Sequence, residues 1–205
     1  MARAAKIPNA QPFTEPATHE LYLKDSYAWA LAQAEAMRRR DFGAVDWDNV
    51  IEEIEDLARS DARRLRSQYA RTIHHLLKLQ YRHPGETDPV RGWKHSIEDA
   101  RTEIHKILDD SQRLKATRHD LLAKAWLHGR KDAINAFVAD ATRNIKTESV
   151  FEREKKQLRR EWNRLLPDNI PYTLHQLEAP DWYPSPKTVS RRPLANRQSD
   201  PEWSR

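Results

Sequence analysis

The chain of 205 residues has no cysteine, only four glycines and only two methionines. Without cysteine there are no disulfides, no thiolate metal sites and no cysteine nucleophile, and the composition fits a reducing cytoplasm. The glycines, Gly43, Gly85, Gly92 and Gly129, are scattered, so no glycine-rich loop exists to cradle a phosphate or a dinucleotide. No apolar run approaches the length of a membrane span, and MARAAKIPNAQPF has no apolar core of a signal peptide. No membrane association is expected. The motifs HExxH and Glu-x-x-His are both missing.

What is abundant is charge. Charged residues make up 33% and hydrophobic residues 38% of the chain, with mean hydropathy −0.95. Long helices with narrow apolar stripes and polar ends produce that balance. The net charge of +5 suggests nucleic acid until it is located. Residues 185–205 carry Lys187, Arg191, Arg192, Arg197 and Arg205 against Asp200 and Glu202, net +3, and residues 1–18 carry Arg3 and Lys6 against Glu15, net +1. Only +1 is left for the body, whereas a nucleic-acid-binding domain concentrates its excess on a folded face. Residues 1–18, with three prolines, and 185–205 are therefore read as disordered segments flanking one domain over 19–184.

That domain centres on Asp46 to Arg82, which contains no Gly or Pro. Val50, Ile54, Leu57, Ala58, Leu65, Tyr69, Ile73, Leu76 and Leu77 recur at three or four residues, placing one stripe along a helix about 50 Å long. Asp46 suits its N-cap, and Pro84-Gly85 stops it. Ile54, Leu57, Tyr69, Ile73, Leu76, Ile97, Ile104 and Trp93 are expected to be buried, with Leu57→Ala costing about 2–5 kcal/mol. Before this helix, Asp25 caps another that ends in Arg38, Arg39 and Arg40, with Gly43 suited to a left-handed C-cap. The link Phe42–Val45 is short enough to force an antiparallel hairpin. Asp88-Pro89 opens a third helix to Asp110. Leu114 falls in a short turn, and a fourth helix runs over about 117–142, where Gly129 allows a kink or a close approach. Residues 148–166 form a weaker, highly charged fifth helix. LPDNIPYTLHQLEAPDWYP then supplies apolar area with little regular structure, a hook that must dock on a groove near Trp29 or Trp93. The fold class is all-α: an antiparallel helical bundle of four main helices, plus the weaker fifth helix and the Pro/aromatic hook.

LYLKDSYAWALAQAEAMR, DWDNVIEEIEDLARSDARRL, HLLKLQYR, the Trp93–Ile97–Arg101–Ile104 spacing, DDSQRL and LPDNIPYTLHQLEAPDWYP occur in that order between Leu21 and Pro184. Together they resemble the bacterial family catalogued as domain of unknown function 29. The resemblance implies a compact all-helical protein and carries no established activity. Leu79 stands where family members usually have a tryptophan.

Candidate functional residues are few. Glu52, Glu53 and Asp56 belong to an acidic run of seven acids and one base, Arg59, over residues 46–61. Glu52 and Asp56 share a helix face and offer oxygens to a divalent cation; pairing with Lys24 and Arg38–Arg40 across the hairpin is the favoured alternative. Arg64 and Arg71 share one line of the following basic run, where pairing with Glu98, Asp99 and Glu103 is expected in preference to phosphate contacts. His75 reads as a core-edge histidine hydrogen-bonded to a neighbour. Trp93 and Arg101 complete the set as interaction candidates. No catalytic, metal or cofactor residue is assigned and no cofactor is expected. The favoured function is a non-enzymatic protein-interaction or scaffold module with another protein as partner. Nucleic-acid binding through the basic half of the long helix comes second, and a metal-dependent hydrolase at the acidic cluster a distant third.

Overall fold

The computed structural model describes residues 18–81 and 88–187. The segment before residue 18, the Pro84-Gly85 stop and the chain from residue 188 onward lie outside the described residues. The protein is all-α, with no strand among the described residues. It divides into two compact units, Met1–Arg59 and Ser60–Arg205.

In the first unit, α1 (Thr18–Lys24) and α2 (Ser26–Arg38) meet at Asp25, whose side chain accepts a hydrogen bond from the Ala28 amide at 2.9 Å. This is the expected cap, satisfying one of the amides that a helix start leaves without a carbonyl. At the other end of α2, the Asp41 amide donates to the Ala36 carbonyl and the Arg40 amide to Met37, the paired closure of a Schellman turn. The left-handed residue that this turn requires is Arg40, at φ 62°. Gly43 was expected in that role but lies in the 3₁₀ turn Phe42–Ala44. The chain has to reverse within two residues of Arg38, before it reaches its glycine.

Asp46 then caps α3 (Trp47–Gln80) by accepting from the Asn49 amide at 3.4 Å and from Asn49 Nδ2 at 2.7 Å. These hydrogen bonds hold its carboxyl below the usual carboxylate range. Gln33 Oε1 accepts from the Asp46 amide at 2.7 Å, and the Tyr22 hydroxyl donates to Glu53 at 2.8 Å. Residue numbers fall on one side as they rise on the other, so α2 and the start of α3 form the expected antiparallel hairpin. Its core is Trp29, Ala36, Val45 and Val50, with Tyr22 edge-on to Trp29 at 4.8 Å.

The second unit contains the rest of α3, then α4 (Asp88–Asp110), α5 (Gln112–Thr117), the 3₁₀ turn Arg118–Leu121, α6 (Leu122–Thr142), α7 (Glu148–Leu165) and α8 (Leu174–Glu178). Leu114 belongs to a helix where a turn was expected, because Ser111 caps it by accepting from the Leu114 amide at 3.3 Å. Leu65, Tyr69, Ile73, Leu76, Ile97 and Ile104 are fully buried, as their spacing predicts, and α6 adds Trp126, Ile134 and Phe137. Gly129 provides the close approach. A Cβ there would stand 2.5 Å from the Ala70 carbonyl oxygen and 2.9 Å from Ile73, while α6 runs on without a break. α7 lies antiparallel on α6, with Trp162 stacked on Phe137 at 4.0 Å and Arg159 and Arg130 reaching Asn135 and Asn163 respectively. The hook docks on this core: Tyr172 and Leu177 are buried, and Trp182 and Tyr183 pack on the same cluster as Trp93. Trp29 belongs to the core of the first unit.

Candidate interaction surfaces

Two of the residues expected in the core are not there. Ile54 is 63% and Leu57 70% exposed, and every residue from Ile51 to Arg59 is exposed. Periodicity places Ile54 and Leu57 on the side of α3 that carries Val50, but none of the described residues covers that side over these two turns. Burial requires a partner as well as a stripe. Leu57→Ala therefore removes no core contact, and its expected cost falls to within about 0.5 kcal/mol, as for an ordinary surface substitution. Among the described residues, nine large hydrophobic side chains are exposed. Eight belong to the first unit: Leu23, Tyr27, Leu31, Phe42, Trp47, Ile51, Ile54 and Leu57. The ninth is Leu127.

Among the described residues, Lys24, Arg38 and Arg39 do not reach the acids of this stretch across the hairpin as expected. Arg38 and Arg39 both turn to Glu35 and Lys24 to Glu20, each within a turn of its own helix. Glu53 accepts from Tyr22, and Arg59 reaches back to Glu55 at 2.8 Å and Asp56 at 2.6 Å. Among the described residues, no group of three His, Asp or Glu side chains is placed to hold a metal ion. Glu53 borders the apolar stripe, whereas Glu52 and Asp56 lie on the opposite side of α3.

Two cations of the basic half of α3 face acids of α4. Arg64 pairs with Glu103, and Arg71 Nη2 lies 3.8 Å from Asp99. Trp93 is half-buried, with Lys78 Nζ 4.5 Å above its ring. Among the described residues His75 has no hydrogen bond at Nδ1, contrary to expectation; its ring stacks on His74 at 4.6 Å. Burial, His74, Lys78 and Arg71 together push its pKa down to about 3.

Arg101 has the most specific environment of the candidates. Only 2% exposed, it sits on the apolar stripe of α4 between Ile97 and Ile104. Its guanidinium donates to four carbonyls of the hook: Leu177 at 2.9 Å, Pro180 at 3.1 Å, Gln176 at 2.8 Å and Trp182 at 2.9 Å. Tyr183 covers it, 5.5 Å from ring centroid to Cζ, and donates its hydroxyl to Glu98. Desolvation, then Glu98, pushes the Tyr183 pKa up to about 12. A helix end and the loop after it expose carbonyls that no amide of their own reaches, and the planar fork of arginine matches several at once. A second arginine acts alike, and a third meets a carboxylate of the hook. Arg130 donates to the Pro167, Leu166 and Asn163 carbonyls at the end of α7, and Arg118 pairs with Glu178 at 2.9 Å. Glu178 also accepts from the buried Tyr69 hydroxyl at 2.5 Å. Sequence reasoning missed Arg118, Arg130 and Glu178; Arg101 was singled out by its place in the Trp93–Ile97–Arg101–Ile104 spacing. Arg101 is thereby a clasp for the hook, fully engaged by the chain itself.

The order of these elements, from the capped hairpin to the clasped hook, matches one family along most of the chain. The family described as "Domain of unknown function DUF29" matches residues 21–183. The chain belongs to this family. No curated protein and no solved structure matches the chain. The DUF29 match ends at Tyr183, the residue that covers Arg101, so it takes in the hook as far as its aromatic lid. No helix among the described residues is long and apolar enough to cross a membrane.

Proposed function

We propose that this DUF29 protein is a non-enzymatic interaction module that binds a basic amphipathic helix of another protein along Ile51, Ile54 and Leu57. One observation carries the reading: of the nine large hydrophobic side chains exposed among the described residues, eight lie in the first unit. Apolar side chains scattered singly over a surface are ordinary, whereas their concentration in one small hairpin marks a contact surface. Covering three aliphatic side chains yields about 1.5–3 kcal/mol each, part of which offsets the cost of association. Micromolar affinity follows once charge contributes. Glu53 and Glu55 border the stripe, one on each side, so a partner helix with lysine or arginine beside its apolar face is favoured over an acidic one. A second copy of this chain would set acid against acid along the same face.

Binding of nucleic acid by the basic half of α3 is the weaker reading, since Arg64 and Arg71 already face Glu103 and Asp99. A cytoplasmic setting suits a chain without cysteine. Calorimetric titration with two synthetic 18-residue helices, one of leucine and lysine and one of leucine and glutamate, tests the proposal. The basic peptide should bind at micromolar concentration and the acidic one not at all. Ile54→Glu with Leu57→Glu should abolish the signal while leaving helicity intact. Equal binding of both peptides, or unchanged binding by the double variant, refutes it.

A further inference from the structure

The exposed side of α7 carries a second, chemically different surface. Arg153, Lys156, Arg160 and Arg164 are all exposed and follow one another at three, four and four residues. At 100° per residue they fall within an arc of about 80°, opposite the buried Leu158 and Trp162. No carboxylate interrupts that arc. Glu152 and Glu161 lie at its margins, and Lys155 turns aside to pair with Glu152 at 2.7 Å. Arg153 has a loose ion pair with Glu154 at 3.5 Å, and Lys156, Arg160 and Arg164 have none among the described residues. Arg159, beside the row, donates to Asn135, and an open recess of about 590 Å³ runs along this side of the helix.

Four aligned cations, of which Arg153 alone has an acid partner among the described residues, repel one another. We propose that this row on α7 binds the phosphodiester backbone of duplex nucleic acid, without reading sequence. The row extends over about 16 Å. A duplex presents a phosphate for about every 1.7 Å of its axis, so each cation finds one without the helix bending. Three features of α7 set the class of ligand. Its aromatic residues, Phe151 and Trp162, face away from the row, so no platform exists for stacking the bases of a single strand. Its apolar face is already used in the core, so the helix has nothing to insert into a lipid surface. No exposed amide or carboxylate within the row is placed to read base edges, so the contacts position without specifying.

The α7 row shares no residue with the apolar stripe of α3, and the two proposals fail separately. Fluorescence anisotropy of a labelled 20-base-pair DNA duplex with the full chain tests this one. Binding should appear at about 1–100 µM in 50 mM NaCl and weaken about fifty-fold at 150 mM, as the release of counterions from four phosphates requires. Lys156→Glu with Arg160→Glu should weaken it at least about tenfold and flatten the salt dependence. Lys106→Glu with Arg113→Glu, the same charge change on α4 and α5, should alter it less than about threefold, with unchanged helicity in both variants. Several outcomes overturn the proposal: no binding at 50 mM, or equal loss in the two variants. So do tighter binding of a 20-nucleotide single strand, binding of phosphatidylserine vesicles in place of the duplex, and complete loss on changing Arg191, Arg192 and Arg197 to Gln.

Discussion

Arg101 occupies a position on α4 where the spacing from Ile97 to Ile104 leads one to expect an aliphatic side chain. A buried cation with no carboxylate at bonding distance is costly unless its donors are satisfied. Here four carbonyls of the hook satisfy them, and the carbonyls in turn depend on Arg101. Arg101→Met would keep most of the volume and leave that cluster of carbonyls with no donor. The expected cost is about 3–5 kcal/mol, and Arg101→Lys should recover less than half, because an ammonium cannot spread its donors over the same fork. Denaturation in urea reads this directly; a loss below about 1 kcal/mol would mean the hook holds without its clasp. His75 provides a pH dependence. Its pKa falls from 6.5 when unfolded to about 3 in the fold, with burial first and then His74, Lys78 and Arg71 as causes. The unfolded chain therefore binds the proton more readily. The contribution of His75 is complete above about pH 6.5 and declines as pH falls towards 3. By pH 5 the loss is about 1 kcal/mol after allowance for solvent screening of a half-buried ring. His75→Gln should remove this part of the acid sensitivity in thermal melts at pH 7 and pH 5. Equal slopes for the two proteins would contradict it.

Elements were more legible than the surfaces they present. The spacing of apolar residues, the caps Asp25 and Asp46, and the short link at Phe42–Val45 identified the hairpin and all five long helices. These are local properties, set within a turn or two of chain. What periodicity cannot contain is the partner of a stripe. On α3 the same repeat leads from Val50, which is buried, through the exposed Ile54 and Leu57 to the buried Leu65. No local feature separates the covered turns from the bare ones. Charge behaves similarly. The basic run of α3 drew attention because its cations are consecutive, yet Glu103 and Asp99 neutralise Arg64 and Arg71. The basic residues of α7 are mixed with four acids in the sequence, and only the helical turn sorts the cations to one side. The mixed composition concealed the row. The hook was legible as something that must dock, because its prolines and aromatics favour neither solvent nor a regular helix. Its clasps were not, since a carbonyl leaves no mark in a sequence.

At the scale of the molecule, the two units differ in how much they bury. The core of the first unit consists of four buried hydrophobic residues, Trp29, Ala36, Val45 and Val50; that of the second contains twenty-three among the described residues. Apolar burial is the main term opposing chain entropy, so a helix whose apolar side chains are mostly outside opens at lower cost than one packed on a full core. α2 buries Trp29, Gln33 and Ala36 and leaves Tyr27 and Leu31 in solvent. α4 buries Ile97, Ala100, Arg101, Ile104, Ile107 and Leu108. In native-state hydrogen exchange the amides of α2 should therefore lose protection at least about a hundred-fold sooner than those of α4, a difference of about 2.7 kcal/mol in opening free energy. A partner on the Ile51–Leu57 stripe would bind only the formed hairpin and so raise the protection of α2 by mass action, leaving α4 unchanged. Equal protection of α2 and α4 in the free chain would show that the small core of the hairpin is stabilised by something other than its buried area. Protection of α4 alone on adding the basic peptide would place the binding face outside the first unit.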